Sequence, residues 1–307
     1  MTDRQRAWGI AFALAGAIGF SIRPVLIKLA YGVPTVFDAP VSPVTLLFLR
    51  MVISLPFFVA VAWWLRAQRP AISARDGAAI GALGFVGYYA ASFLDFIGLQ
   101  YVGAGLGRLI LFLYPTIVLL LSFLFLHARP GARHLMALAL SYAGIFLVVS
   151  DRLGGGATGP LFLFGCALVF ASAFCYAVYL VAGSALVQRV GSMRFTAWSM
   201  IASTVPAVVQ FLVLEPFSAL ELPGAVWGYT AVMATACTVL PVFFVAEALK
   251  RIGANHFAVI GAVGPVSTLL AGAIGLEEPF TLVQGAGAAL VIGGVLLVSL
   301  KPQQQRT

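Results

Sequence analysis

Long apolar stretches alternate with short polar or charged connections along the whole chain. Segments such as 109–126, which reads LILFLYPTIVLLLSFLFL, are apolar on every side of a helix, whereas the strands of a membrane barrel require alternating apolar and polar residues. Charged, proline and glycine residues divide the chain into ten predicted spans: 7–31, 43–65, 77–99, 104–126, 133–150, 160–183, 194–214, 224–249, 254–276 and 281–300. Segments of this length cross about 30 Å of hydrocarbon. The pattern predicts an all-α polytopic membrane protein with ten transmembrane helices.

Composition supports a membrane location and leaves no room for a soluble domain. The chain is 62% hydrophobic and 9% charged, whereas soluble proteins carry about 25% charged residues. Its 18 Lys and Arg residues outnumber its 10 Asp and Glu residues, but the basic residues stand singly in short connections and do not indicate a nucleic-acid partner. The three cysteines, in contrast, fall inside apolar segments, which predicts small core residues and not disulfides or metal ligands.

The basic residues instead indicate the orientation of the chain, because cytoplasmic loops of membrane proteins are enriched in Lys and Arg. If the N-terminus is cytoplasmic, 13 Lys and Arg residues lie in the inner segments or at the inner ends of spans, and only Arg152 lies in an outer loop. The opposite orientation would violate this rule at nearly every loop. We therefore expect both termini to be cytoplasmic.

The two halves of the chain resemble each other at an offset of 150 positions. Gly103 pairs in this way with Gly253, and each is followed by alanine; Pro115 pairs with Pro265. Matches of this kind are more informative than leucine matches, which are frequent by chance in an apolar chain. The offset predicts an internal repeat of five spans.

The repeat divides the chain into two five-helix units. Residues 1–153 form the N-terminal unit, 154–159 the linker, and 160–307 the C-terminal unit. Because five is an odd number, the second unit enters the membrane upside down relative to the first. Inverted repeats are typical of secondary transporters, which bind their substrate near the membrane midplane between the repeats.

The segments LQYVGAGLGRLILFLYP and LKRIGANHFAVIGAVGP stand at equivalent positions in the two halves. With ten spans and an inverted repeat, the chain resembles the EamA-type branch of the drug/metabolite transporter superfamily over nearly its whole length. Within that branch it is most similar to the YddG group of bacterial amino-acid exporters.

The resemblance implies a protein of the bacterial inner (cytoplasmic) membrane, with a central cavity that opens alternately to either side. It implies export of aromatic and other neutral amino acids from the cytoplasm, with another small metabolite or a drug as the alternative substrate. The expected partners are this substrate and membrane lipids. No cofactor or metal is expected, and the oligomeric state stays open, with a homodimer as one arrangement.

Ionisable residues inside spans are costly and therefore mark candidate functional positions. Arg23, Arg50, Asp95 and Arg108 are predicted to form a layer in the outer half of the bundle. Asp95 and Arg108 flank a short turn and are expected to pair, in a structural or gating role. One carboxylate cannot serve three guanidinium groups, so Arg23 and Arg50 are candidates for binding a substrate carboxylate. Alternatively, they bind the carbonyl groups at helix ends.

Aromatic residues near mid-depth are candidates for the rest of a substrate site. These are Phe20, Tyr88, Tyr89, Phe174, Tyr176 and Phe243. The alternative for each is a lipid-facing position. The tyrosines are favoured over the phenylalanines because a phenol far from the interface requires a hydrogen-bond partner. Pro115 and Pro265 are predicted to kink two spans, either as gates or as static features of helix shape.

The sequence does not favour an enzyme. It contains no HExxH motif, no phosphate-binding Gly-Lys-Ser/Thr loop and no paired carboxylates, which are the common signatures of hydrolytic and nucleotide chemistry. Glu247 is expected to pair locally with Arg251, one helical turn later. A structural or receptor-like membrane subunit is the remaining alternative to a transporter.

Overall fold

A computed structural model describes residues 3–35, 39–66, 72–126, 131–154, 159–279 and 281–299. These residues form a bundle of α-helices without an extended sheet. The helices are α1 (Asp3–Tyr31), α2 (Pro43–Trp64), α3 (Ala74–Gly84), α4 (Ala91–Tyr101), α5 (Ala104–Leu111), α6 (Tyr114–Leu126), α7 (Ala132–Gly154), α8 (Phe162–Val190), α9 (Ser192–Leu214), α10 (Gly224–Ala234), α11 (Leu240–Gly261), α12 (Val263–Gly275) and α13 (Leu282–Ser299). Most of the predicted linker 154–159 lies outside the described residues.

Eight helical segments of the described chain are long and apolar enough to cross a membrane. They are Arg4–Tyr31, Pro43–Trp64, Ala74–Tyr101, Ala104–Leu124, Ala132–Gly154, Phe162–Val190, Ser192–Leu214 and Gly224–Ile252. Two shorter apolar helices follow, Val263–Gly275 and Leu282–Leu297. The prediction of an all-helical, multi-pass membrane protein is confirmed, while the count of ten spans stays a prediction.

One predicted connection is helical in the structure. The sequence suggested a break at 250–253 between two spans, but α11 continues through these residues and ends at Gly261. The segment LKRIGANHF contains a single glycine and no proline, so nothing in it forces a helix to end. The break comes instead at Ala262, just before α12.

Two spans contain π-helical turns at equivalent positions. The first turn, Phe85–Ala90, joins α3 to α4, and the second, Thr235–Val239, joins α10 to α11. Their first residues are 150 positions apart, which is the offset of the predicted repeat. Such turns widen the helix by one residue and are frequent at functional sites.

Helices of the first half pack mainly against helices of the second half. α1 packs on α11 and α12, and α8 packs on α4 and α6. The remaining close pairs, α2 with α9 and α7 with α13, also join the two halves. Exchanging each helix for its equivalent in the other half reproduces the same pairs. A two-fold repeat would produce this packing, and both the repeat and its inverted orientation stay predictions.

Small residues let these helices approach closely, as is usual in membranes. A Cβ atom added to Gly144 on α7 would lie 2.6 Å from the carbonyl oxygen of Gly287 on α13. Similarly, a Cβ atom on Gly98 of α4 would lie 3.0 Å from the carbonyl oxygen of Gly165 on α8. The contacts between the halves therefore depend on the absence of side chains at these positions.

The contact between α7 and α13 gives a test with an internal control. Gly144→Ala places a methyl group against the backbone of α13, and we expect it to lower the free energy of unfolding by about 1–3 kcal/mol. Gly293→Ala on α13 adds the same methyl group where no atom lies within 4 Å, and we expect no loss. Thermal unfolding in detergent distinguishes the two, and equal effects would contradict the close approach.

Candidate functional site

Four charged residues lie together where the two halves meet; Arg50 and Asp95 are fully buried, and Arg23 and Arg108 are half-buried. Arg23 on α1 binds Asp95 on α4, with 3.1 Å between Nη2 and Oδ2. The side chain of Asp95 is only 2% exposed. Arg50 lies on α2 and Arg108 on α5. At a rise of 1.5 Å per residue, both are about 6–12 Å from the N-terminus of their helix, which is a depth similar to that of Arg23 and Asp95. The structure thus brings the predicted layer of three arginines and one aspartate together.

The predicted pair between Asp95 and Arg108 is wrong. Asp95 binds Arg23 because α1 runs beside α4. The guanidinium of Arg108 turns toward α12 instead, where a Cβ atom on Gly264 would lie 3.5 Å from its Nη2. Residues 102 and 103 between the helices are extended. Asp95 and Arg108 still interact electrostatically, but Asp95 forms its direct ion pair with Arg23.

Arg50 is fully buried, and no described residue forms an ion pair with it. It is 1% exposed, and its Nη2 donates a hydrogen bond of 2.9 Å to the hydroxyl of Ser92. Its guanidinium carbon lies 5.4 Å from the centre of the Phe96 ring. Within the described residues no carboxylate lies within 4 Å of it. A neutral hydroxyl and an aromatic face therefore support this cation in place of an anion.

The four residues Arg23, Arg50, Asp95 and Arg108, which we call the buried cluster, have unused hydrogen-bond donors and an excess of positive charge. The Nε atoms of Arg23, Arg50 and Arg108 are all buried and have no hydrogen-bond partner among the described residues. Three guanidinium groups and one carboxylate give a formal charge of +2. A buried donor without an acceptor is costly, so the arrangement is suited to receive an anion.

Four tyrosines line one side of the cluster. Tyr88 contacts Tyr179 edge-on at 5.1 Å between ring centres, Tyr179 stacks on Tyr176 at 6.0 Å, and Tyr176 contacts Tyr114 edge-on at 5.1 Å. Tyr176 also interacts electrostatically with Arg23 and Arg108. The structure therefore joins the predicted residues Tyr88 and Tyr176 to the charged layer. Tyr114 was missed, although it directly precedes the repeated proline.

The other aromatic candidates are less closely connected to the cluster. Tyr89 stacks on Phe93 at 6.2 Å, and Phe243 packs against the main apolar core. Phe20 is half-buried on α1. Phe174 is 44% exposed and lies two positions from Tyr176, which places it on the opposite side of α8. Among the described residues, none of these three candidate phenylalanines is in ring contact with the four tyrosines.

The repeated prolines stand just after helix breaks. Pro115 is the second residue of α6, which follows a turn at 112–113, and Pro265 is the third residue of α12, which follows Ala262. Proline is favoured in the first turn of a helix because no intrahelical hydrogen bond is lost there. The spans are thus interrupted before each proline, and a gating role for these breaks stays a prediction.

A carboxylate from the second half binds the N-terminus of α5. Glu278 accepts hydrogen bonds from the backbone N–H groups of Ala104 at 2.7 Å and Gly105 at 3.3 Å. Glu277 before it has a positive φ of 54°. The N-terminus of a helix carries unpaired N–H groups and partial positive charge, so it favours an anion. The sequence had indicated Glu278 only as a loop residue, since its partner lies in the other half.

Lys28 secures the helix that precedes this turn. Its Nζ donates to the carbonyl oxygens of Leu99 at 3.3 Å and Val102 at 2.9 Å, which lie at the C-terminus of α4. A cation is favoured at this end of a helix. Lys28 and Glu278 together fasten the turn between α4 and α5, and we call this pair of contacts the latch.

One further prediction is confirmed: Glu247 binds Arg251 at 2.8 Å within α11. Of the three cysteines, Cys237 is buried, and Cys166 and Cys175 are half-buried. In the part of the chain that the structure describes, no three His, Cys, Asp or Glu residues could hold a metal ion together.

Comparison with known proteins identifies the family. The model of the EamA-like transporter family matches residues 7–150 and, separately, residues 163–300. This chain belongs to the EamA-like transporter family. The uncharacterized transporter YcbK of Bacillus subtilis is 30% identical over 96% of this chain and 92% of its own length. An uncharacterized transporter of Archaeoglobus fulgidus is 25% identical over 96% of this chain and 95% of its own.

A solved crystal structure has the same fold. It superposes with a TM-score of 0.62 at 17% identity and covers 94% of this chain and 95% of its own. Membership of the EamA-like family establishes a multi-pass membrane transporter, whose partners are a small-molecule substrate and lipids. The names of the relatives do not specify a substrate.

The ion pair in this EamA-like protein can be tested by a double-mutant cycle. We expect Arg23→Gln and Asp95→Asn to show a coupling energy of about 1–3 kcal/mol in unfolding, as residues in direct contact do. The matched cycle of Arg108→Gln with Asp95→Asn should give less than half of that coupling. An equal or larger value for Arg108 would restore the pairing that the sequence suggested. Thermal unfolding of the purified variants in detergent provides the measurement.

Proposed function

We propose that this EamA-like transporter exports small carboxylate-bearing metabolites, including aromatic and other neutral amino acids, across the bacterial inner membrane. The observation that carries the proposal is the cluster of Arg23, Arg50 and Arg108. Their Nε atoms are buried without a hydrogen-bond partner among the described residues, and the cluster faces tyrosines between the two halves. A guanidinium group offers a rigid set of donors that matches a carboxylate in two parallel hydrogen bonds. The adjacent phenol rings suit an aromatic or apolar side chain.

The charge of the cluster bears on the alternative substrates that the sequence left open, another small metabolite or a drug. Two unit charges about 4 Å apart interact by about 4 kcal/mol at an effective dielectric constant typical of proteins. A formal charge of +2 therefore attracts a carboxylate and repels a lipophilic cation. This argues against a cationic drug as the substrate.

Transport by alternating access follows from the proposed arrangement of the halves. We take residues 1–153 and 160–307 as inverted repeats, with both termini in the cytoplasm. Two separate matches to the family model, the equivalent π-helical turns and the distribution of Lys and Arg all support this. Rocking of one repeat against the other would open the charged cluster to either side.

The latch supports a gate at the outer end of the bundle in this orientation. Glu278 of the second half holds the N-terminus of α5 from the first half, so outward opening must break these hydrogen bonds. We therefore take the described state as closed to the outside. The breaks before Pro115 and Pro265 are the proposed points at which the helices bend.

The arginines provide the test of this function. We expect Arg50→Gln and Arg108→Gln to lower export at least about tenfold, because each removes a charge that the substrate carboxylate meets in a dry site. Replacing an unpaired buried cation costs little stability or gains some, so thermal unfolding should not follow the loss of transport. The measurement is flux of labelled amino acids and other carboxylates in proteoliposomes. The matched control is Arg75→Gln on the exposed surface of α3, which should transport like the wild type.

Two results would contradict the proposal. Flux no greater than in empty vesicles across a broad panel of carboxylates would exclude it. A parallel loss of stability and transport in both arginine variants would assign these residues to the structure of the bundle and not to the substrate.

The latch can be tested by the accessibility of a buried thiol. Cys237 is 1% exposed and interacts electrostatically with Arg23, and Cys166→Ala with Cys175→Ala leaves it as the only thiol. We expect Glu278→Ala to increase its labelling by a negatively charged thiol reagent several-fold, because the loss of a charged cap of about 1 kcal/mol shifts the conformational equilibrium about fivefold. Glu277→Ala changes the neighbouring exposed carboxylate and should have no effect. Equal labelling in the two variants would contradict the gate.

A further inference from the structure

The buried cluster carries more positive than negative charge, and this excess bears on the class of substrate. Asp95 is the one carboxylate that the described residues place in it, and Arg23 already binds it at 3.1 Å. Glu247 is the other acid inside a predicted span. It binds Arg251, which lies over the ring of Phe12, 11 residues before Arg23 on α1 and thus about 16 Å along the helix axis.

An amino acid also carries an ammonium group, for which the described residues of the buried cluster offer no free carboxylate. A carboxylate would satisfy the buried donors of Arg50 and Arg108, whose Nε atoms lack acceptors among the described residues. An ammonium group beside it would stand next to guanidinium groups of the same charge. It would find no carboxylate free to bind it in this part of the structure. For a zwitterion, the repulsion of one group therefore offsets much of the attraction of the other.

The surroundings of the unpaired arginines also favour a carboxylate attached to an apolar body. The guanidinium of Arg108 lies beside Gly264 at the beginning of α12, where an added Cβ atom would lie 3.5 Å from its Nη2 and 3.0 Å from the hydroxyl of Ser21. Tyr176 interacts with this arginine, and its ring contacts those of Tyr114 and Tyr179. An aromatic ring can stack against these phenols while its carboxylate meets the guanidinium groups.

We propose that the cluster selects substrates with a net negative charge, aromatic carboxylates without an ammonium group, over zwitterionic amino acids. This inference rests on the proposed function and narrows its substrate class. Asp95 is the specificity-determining residue in this account, because its ion pair with Arg23 uses the one acid that could otherwise bind an ammonium group.

Three ligands that share a phenethyl group test the proposal: 3-phenylpropionate, phenylalanine and phenethylamine. Near neutral pH they carry a carboxylate alone, both groups, and an ammonium group alone. We expect the purified wild-type transporter in detergent to bind 3-phenylpropionate at least about tenfold more tightly than phenylalanine. Phenethylamine should bind more weakly than either. Calorimetry gives the three dissociation constants without interference from diffusion of the ligands through lipid.

Ser92 offers a matched pair of variants, because its hydroxyl accepts the hydrogen bond of Arg50. Ser92→Asp adds a carboxylate to the cluster and should lower the preference for 3-phenylpropionate over phenylalanine at least about threefold. Ser92→Asn has almost the same shape without the charge and should keep the wild-type preference. If Ser92→Asp does not fold, the wild-type comparison still decides the question.

The outcomes separate this inference from the function on which it rests. Phenylalanine binding as tightly as 3-phenylpropionate, or more tightly, would overturn the inference and leave carboxylate export in place. No binding of any of the three by a protein that transports other carboxylates would overturn it as well. No flux of any carboxylate in proteoliposomes would overturn the proposed function and the inference together.

Discussion

Charge buried in an apolar bundle must be satisfied by nearby groups, because lipid offers neither water nor counter-ions. In this protein only one arginine has a carboxylate partner, because Asp95 binds Arg23. Arg50 instead contacts the hydroxyl of Ser92 and the face of Phe96. Removing water from three guanidinium groups is costly unless charged or hydrogen-bonding partners compensate for it. A site that must be occupied by an anion for part of its cycle provides such a reason. The position of the cluster between the halves, where an inverted repeat would move most, is consistent with it.

The helix pattern was predictable because it depends on local properties of the chain. Continuous apolar segments of about 20 residues leave few alternatives to membrane helices, and the structure bears this out for eight segments. The break at 250–253 was misplaced because glycine alone weakens a helix without ending it. The π-helical turns were not predicted, since a one-residue widening leaves little trace in hydrophobic periodicity.

The candidate site was predictable in composition but not in its pairing. Arg23, Arg50, Asp95 and Arg108 stood out because charges are rare in such spans. Which of them touch depends on helix rotation and on neighbours far away in sequence. Asp95 and Arg23 are 72 positions apart, whereas Arg108 appeared closer only because it follows a short turn. The contacts of Glu278 could not be predicted for the same reason, since its partners Ala104 and Gly105 lie in the other half of the chain.

The latch and the charged cluster are linked through one short helix. α5 contains eight residues; Glu278 binds the N–H groups of its first two, and Arg108 is its fifth. A rigid helix of about 12 Å cannot move at its N-terminus without carrying Arg108 along. Release of Glu278 would therefore shift the guanidinium away from Gly264 and change the affinity of the cluster for an anion. By reciprocity, an anion bound to Arg108 would bias the latch toward the state in which Arg108 binds the anion more tightly. If the latch acts as the proposed gate, the gate and the proposed site move as one rigid unit, and coupling between them does not need a longer pathway through the bundle.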